Sequence, residues 1–216
     1  MNNGTGKITT LFLDIGGVLL TDGWNRVARK KAAEHFKLDH DMMEDRHHIT
    51  VETFELDKIT LDEYLNRIVF CDKQVFTRYD FREFMFAQST AFAEMLSLIK
   101  ALKKEHHLKI VILSNESRAL NEYRIKKFGL NELADCIISS SFVRLRKPDT
   151  DIFKMALDIS QVPAKQIVYI EDQLMFVQIA ESFGINAIHH TSYETTRAKL
   201  ASFGLSINTH KHEGIR

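Results

Sequence analysis

Short apolar runs alternate with amphipathic stretches along most of this chain, and the period of each stretch predicts its element. Leu11-Phe12-Leu13 is continuously apolar and ends at Asp14; Ile15-Gly16-Gly17 follows before Val18-Leu19-Leu20 resumes. Such a run predicts a strand buried on both faces that delivers an acid to a tight turn. Similar runs recur at 109–113, 136–139, 166–170 and 185–188. Between them, Met95, Leu98, Ile99 and Leu102 stand at helical spacing, and further helices are predicted over 118–127, stopped by Gly129, over 149–159, over 177–183, closed by Gly184, and over 195–203. Strand and helix in alternation predict an α/β fold: a Rossmann-like parallel sheet of five or more strands with helices on both faces.

Residues 24–88 break that alternation. Val27, Ala28, Lys31, Ala32 and His35 predict an amphipathic helix from Asn25-Arg26 onward, and Asp39 predicts the cap of a short helix running to about residue 46. A turn is expected at Asp57-Lys58. Thr60 and Glu63 then form a capping box ahead of Leu61, Tyr64, Leu65 and Ile68, and Phe81, Phe84 and Met85 mark one face of a helix over 79–88. With no strand pattern in this region, residues 23–88 are expected to form an inserted α-helical cap domain, and 1–22 with 89–216 the α/β core domain.

Composition narrows the partners. Lys plus Arg and Asp plus Glu both number 29 in 216 residues, so no net field favours nucleic acid or an anionic membrane. No apolar run reaches membrane-spanning length and the first ten residues carry no signal-like segment, which predicts a cytoplasmic protein. Cys71 and Cys136, far apart and in apolar text, are expected to be reduced core thiols. Histidines come in pairs, at His47-His48, His106-His107, His189-His190 and His210 with His212. Adjacent side chains diverge on a helix or strand, so surface placement is expected over metal binding. The cap phenylalanines Phe81, Phe84 and Phe86 are expected to pack within the bundle, with a dimer surface as the other use of such a face; the chain is a monomer or a homodimer.

Polar chemistry sits at four strand ends or adjoining loops: Asp14, Ser114-Asn115, Lys147-Pro148 and Glu171-Asp172. In a doubly wound parallel sheet the carboxyl ends of the strands share one edge, so these groups converge there. Each has a plainer use: Asp14 as a turn cap, Ser114 as a helix N-cap, the basic run Arg144-Leu145-Arg146-Lys147 as a solvated loop. Together they supply a carboxylate nucleophile, hydroxyl and amide donors, a cation, and acids able to hold a divalent ion. Phosphoryl transfer asks for little beyond such positioning and charge neutralisation. Lys147, its approach fixed by Pro148, is expected at the site, and Arg144 and Arg146 in solvent.

These four motifs in this order resemble those of the haloacid dehalogenase superfamily of hydrolases, with a helical cap inserted after the first motif. The resemblance covers nearly the whole chain. It implies Asp14 as nucleophile, Ser114 and Lys147 as catalytic partners, and Asn115, Gly16, Gly17 and Trp24 as substrate contacts. It also implies Mg²⁺ held by Asp14, Gly16, Asp172 and Glu171, and a small phosphorylated metabolite as substrate. Asp14-Ile15-Gly16-Gly17-Val18 followed by Trp24-Asn25-Arg26-Val27 is similar to a bacterial subgroup acting on sugar phosphates.

The chain departs from that pattern at Gly16, where phosphatases of the family place a second aspartate that protonates the leaving oxygen. Three readings follow: a phosphatase that recruits another acid, a catalytically impaired ion- or phosphate-binding protein, and a 2-haloacid dehalogenase, which needs neither that acid nor a metal. Asp22 is the nearest spare carboxylate, although a loop acid is commonly solvated. Phe176 stands where relatives carry Asp or Asn near the ion. Within the cap, Trp24, Phe54, Glu55 and Lys58 are candidate substrate contacts, with Phe54 also suited to the cap core.

Overall fold

The computed structural model describes residues 6–207; the His210 and His212 pair lies outside them. Its elements run β1 (Thr10–Leu13), α1 (Arg26–Phe36), α2 (His40–Glu55), α3 (Leu61–Ile68), α4 (Arg78–Ala87), α5 (Ala93–His106), β2 (Lys109–Ser114), α6 (Arg118–Phe128), α7 (Leu130–Leu133), β3 (Cys136–Ser139), α8 (Ser140–Val143), α9 (Thr150–Ser160), β4 (Ile167–Glu171), α10 (Leu174–Ser182), β5 (Asn186–His189) and α11 (Tyr193–Ser202). The strands form one sheet in the order β3-β2-β1-β4-β5, every pair parallel. The chain steps outward from β1 to β2 and β3 on one side, then returns to the other side for β4 and β5. The carboxyl end of β1 is therefore the topological switch point, where such sheets open a crevice.

Alternate strand residues feed two cores, which is why the strands read as unbroken apolar runs. Leu11, Leu13, Ile110, Ile112, Val168 and Ile170 pack with Met95, Leu98, Ile99 and Leu102 of α5. Phe12, Val111, Leu113 and Tyr169 face Ile152, Phe153 and Ala156 of α9. A third cluster belongs to α1–α4: Trp24, Ala28, Ala32, Phe54, Tyr64, Leu65, Phe81, Met85 and Phe86 pack together, joined by Leu120 of α6. Phe81 is thus spent inside the helical unit, as expected of it, whereas Phe86 faces the sheet domain and stacks on Tyr123 of α6 at 4.6 Å.

Within that unit the capping box at Thr60 and Glu63 is present, and Thr77 with Asp80 forms a second at the start of α4. Asn25 and Asp39 cap α1 and α2. Three expectations are corrected. The first concerns α2, which does not stop near residue 46 but continues to Glu55: Met43, Thr50 and Phe54 keep one face buried along it, with the Thr50 hydroxyl satisfied by the Arg46 carbonyl inside the helix. Second, α1 is rotated from the predicted face. Ala28, Arg29, Ala32 and Ala33 turn inward and Val27 is 62% exposed, because the Arg29 guanidinium binds Glu44 of α2 and the Trp24 carbonyl. Third, the thiols are not core residues, since Cys71 is exposed and Cys136 half-buried, both free.

Two crossings join the helical unit to the sheet. Thr21 and Thr90 exchange hydrogen bonds across them, and the Phe92 amide donates to the Leu19 carbonyl. Arg124 of α6 is fully buried beneath both. Its guanidinium donates to the Thr21 carbonyl (3.0 Å), the Ser89 hydroxyl (3.0 Å) and Glu116 (2.6 Å). Gly23 has φ +70° and lies against that guanidinium, so a side chain there would collide with it. Arg124→Met leaves Glu116 buried without its counter-charge and is expected to cost about 3–5 kcal/mol. Urea titration checks this, and Glu116→Gln in the same chain recovers part of the loss.

Candidate active site

The register of the sheet sets the site. Leu13 pairs with Ile112 and with Ile170, so Asp14 emerges level with Glu171 and next to Ser114. The Asp14 amide continues the ladder to the Ile170 carbonyl (3.0 Å), which fixes the direction of its side chain. Gly17 follows with φ +69°, and a side chain there would run into the Asp172 carboxylate; glycine lets the turn close over the acids.

Lys147, 1% exposed, approaches from the loop between α8 and α9. Asn115 brackets its backbone, donating to the Lys147 carbonyl (2.7 Å) and accepting from the Lys147 amide (2.8 Å). The structure therefore turns the Asn115 side chain onto Lys147, where it positions the ammonium. That ammonium donates to Glu171 Oε2 (2.6 Å) and Tyr169 Oη (3.1 Å), and lies 3.1 Å from Asp14 Oδ1. The last contact is an ion pair off hydrogen-bond direction, so the buried Asp14 Oδ1 has no hydrogen-bond donor among the described residues. The Phe176 ring covers the ammonium at 5.1 Å, which explains an apolar residue beside an acidic motif: it walls Lys147 from water.

Glu171 is fully committed. Its Oε2 accepts from Lys147 and from the Tyr169 hydroxyl, and its Oε1 accepts from the Gln173 amide (3.0 Å). Asp172 is half-buried, with a contact to the Gln173 side chain at 2.8 Å, and its carbonyl accepts from His189 at 2.9 Å. Ligand atoms of Asp14, Glu171 and Asp172 lie within 4.8 Å of one another. Burial, then the Glu171 charge, push the Asp14 carboxyl up to about 6, while Lys147 and the nearby Ser114 hydroxyl pull it back. Burial also raises Glu171 and Asp172. Lys147 goes up too: burial opposes its charge, but Asp14 and Glu171 outweigh burial. Three crowded acids around one ammonium make a site short of positive charge.

Above it, a cavity of about 240 Å³ opens between the helical unit and the α6 entry loop, lined among others by Asp22, Trp24, His47, Phe54, Glu55, Asn115 and Ser117. Trp24 lines it but is 8% exposed, with its Nε1 donating to Tyr64 Oη (2.9 Å). Phe54 stacks on Tyr64 at 4.0 Å. Lys58 is exposed and does not line the cavity. Arg146, expected in solvent, instead pairs with Glu55 at 2.7 Å, and Arg118 pairs with Asp57 at 2.9 Å; both ion pairs tie α2 and its following turn to the sheet domain.

His47, expected at the surface with its neighbour, is half-buried against Tyr64 Oη (2.6 Å). The same hydroxyl accepts from the Trp24 indole, so Tyr64 links His47 to Trp24 beneath the cavity. Burial, then Arg29, lower the His47 pKa to about 4. The unfolded chain takes up a proton near 6.5 and the folded chain only near 4, so stability falls as pH drops through that window, by about 1.4 kcal/mol per pH unit from this group. Urea titrations between pH 4 and 7 on the protein and on His47→Gln check this; the variant is expected to flatten the dependence.

Tyr169, Arg124 and Glu116 were not among the predicted site residues. For Tyr169 a signal existed: it precedes Glu171 by two on a strand, so both side chains share a face. Arg124 and Glu116 carry no such periodic mark.

A family model described as haloacid dehalogenase-like hydrolase matches residues 8–184. A HAD family enzyme from Bacteroides thetaiotaomicron, solved as a magnesium complex, superposes with TM-score 0.74 at 18% identity, covering 89% of this chain and 100% of that one. A HAD-like family hydrolase from Porphyromonas gingivalis gives 0.71 at 18% identity, over 91% and 98%. The L-2-haloacid dehalogenase of Xanthobacter autotrophicus, with chloropropionic acid covalently bound, gives 0.60 at 14% identity, over 92% and 84%. At these identities the likenesses show the fold. In sequence, 86 residues are 34% identical to Protein SUPPRESSOR OF QUENCHING 1, chloroplastic, of Arabidopsis thaliana. That stretch is 39% of this chain and 8% of the plant protein, so the chain spans a small part of that relative. Among the described residues, no helix is long and apolar enough to cross a membrane.

Proposed function

The chain belongs to the haloacid dehalogenase-like hydrolases, and we propose that within them it is a Mg²⁺-dependent phosphatase of small phosphorylated metabolites, sugar phosphates foremost. One observation carries the reading: a buried aspartate at the switch point, one oxygen lacking a hydrogen bond, beside a buried ammonium and two further acids. That donor set fits a hard divalent cation. Asp14 and Asp172 offer carboxylate oxygens and Gly16 its carbonyl, while Glu171, already satisfied by three donors, holds Lys147 rather than the ion. Bound there, Mg²⁺ supplies charge neutralisation for phosphoryl oxygens. A relative of the same fold from Bacteroides thetaiotaomicron was solved with magnesium and inorganic phosphate, which supports the reading.

In this reading Asp14 attacks phosphorus and carries the phosphoryl group as an acyl phosphate. Lys147 and Ser114 hold equatorial oxygens, with Lys147 kept straight by Asn115 and Glu171. Gly16 and Gly17 carry the backbone past the phosphoryl site, with the Asp22 and Asp172 carboxylates standing where their side chains would project. Trp24 and Phe54 give the leaving group an apolar wall, and Glu55 and His47 a polar one. The helical unit of 23–88 acts as the cap that excludes water.

A haloacid substrate fits less well. It brings a carboxylate to three acids, and the nearby guanidinium groups of Arg29 and Arg124 are taken by Glu44 and Glu116. A panel of sugar phosphates, an aryl phosphate and 2-chloropropionate, each with Mg²⁺ and with chelator, tests the assignment. Phosphate release that chelator abolishes is the expected result. Halide release indifferent to chelator contradicts it, as does binding of phosphate with no turnover.

A further inference from the structure

Phosphoryl transfer to Asp14 breaks the bond between phosphorus and the leaving oxygen, and an alkoxide leaves poorly without a proton. Release of the second product then requires a base to take a proton from water. Neither group is supplied by the residues so far assigned. The carboxyls around the cavity are accounted for one by one: Glu171 is held by Lys147 and Tyr169, Glu55 by Arg146, Glu116 by Arg124, and Asp172 stands in the cluster with Asp14.

Asp22 differs from all of them. Its Oδ2 accepts from Asn25 Nδ2 (2.9 Å), while its Oδ1 carries no hydrogen bond among the described residues and points at Gly16. A β-carbon on residue 16 would stand 3.2 Å from that oxygen and 3.5 Å from Asp22 Cα. Gly16 does not have positive φ, so its lack of a side chain is not demanded by the turn; the exposed Asp22 carboxylate stands at the edge of the space that a side chain there would enter. The acid is also well placed mechanically. Asn25, which orients it, is itself fixed as the cap of α1 through the Ala28 amide (2.9 Å), and Arg124 holds the preceding Thr21 carbonyl.

We propose that Asp22 is the proton-transferring residue of this site, delivered from the crossing into the helical unit to the space left open by Gly16. As a carboxylic acid it gives its proton to the leaving oxygen while Asp14 takes the phosphoryl group, yielding the free alcohol, acyl phosphate and Asp22 carboxylate. As a carboxylate it then takes a proton from water as that water attacks phosphorus, yielding inorganic phosphate, Asp14 carboxylate and Asp22 acid again. The balance closes with water as the only co-reactant.

The proposal rests on the phosphatase reading, and the experiment separates the two. Asp22→Asn is compared with the parent on a sugar phosphate and on p-nitrophenyl phosphate, whose leaving group departs without a proton. Turnover of the sugar phosphate is expected to fall about 10²–10⁴-fold, formation of the phosphoenzyme from the aryl ester to change far less, and the phosphoenzyme to accumulate for want of the base. Moving the carboxylate, with Gly16→Asp and Asp22→Ala together, is expected to restore turnover that Asp22→Ala alone lacks. Equal losses in phosphoenzyme formation from the two substrates, or no loss of sugar-phosphate turnover, overturn the role of Asp22 while leaving the phosphatase standing. A parent protein inactive on both overturns the two together.

Discussion

Lys147→Met is expected to lower stability by about 3–5 kcal/mol, or roughly 10 °C in Tm for a chain of this size, and to abolish turnover. The ammonium is the only cation within ion-pair reach of Asp14 and Glu171 among the described residues. Methionine fills much of the volume but leaves two carboxylates in one dry site, both already pushed upward by burial. They respond by taking up protons, so the loss is largest at neutral pH and shrinks in acid. Lys147→Arg does not restore the site, since a planar fork cannot replace a point charge surrounded by Tyr169, Glu171, Asp14 and the Phe176 ring. Thermal melts at two pH values and phosphate-release assays read both parts.

Asp14→Asn is expected to reduce turnover by about a thousandfold or more, because it removes the attacking oxygen while keeping the shape of the side chain. Unlike Lys147→Met it leaves the Lys147 and Glu171 pair intact, so the far-UV spectrum and cooperative unfolding are preserved. Loss of activity with a preserved fold separates the nucleophile from a residue that merely braces the switch point.

The strands were legible because burial on both faces turns each into an unbroken apolar run that stops at a polar residue, and β3 matches its predicted span of 136–139. Asp14 and the two acids are legible for the same reason: a charge at the end of such a run needs a partner, and sheet topology brings the ends together; Lys147, in the loop before α9, is legible from the proline that follows it. The motif residues do not reveal how those charges are shared out. Nothing in its sequence position distinguishes Glu171, which secures Lys147, from Asp172, which remains half-exposed; that depends on which face of β4 each side chain takes. Asn115 turns inward onto a backbone 32 residues away, and Arg146 finds Glu55 across the cavity. Such long-range pairs leave no periodic trace. The rotation of α1 is illegible for the same reason: an arginine reads as a polar position, and only its ion pair with Glu44 lets Arg29 turn inward. Gly16 shows in the sequence as a missing acid and Asp22 as the nearest spare carboxylate; that the Asp22 carboxylate lies against residue 16 depends on the path of the chain through Thr21 and Gly23.

In the proposed reaction Asp14 carries the phosphoryl group. The direct measurement is rapid acid quench of the protein with Mg²⁺ and an aryl phosphate, followed by mass analysis of the peptide that contains residue 14. One added phosphoryl group is expected on Asp14, absent with chelator and absent in Asp14→Asn. A phosphoryl group on any other residue, or phosphate released in full with Asp14 replaced by asparagine, would contradict it.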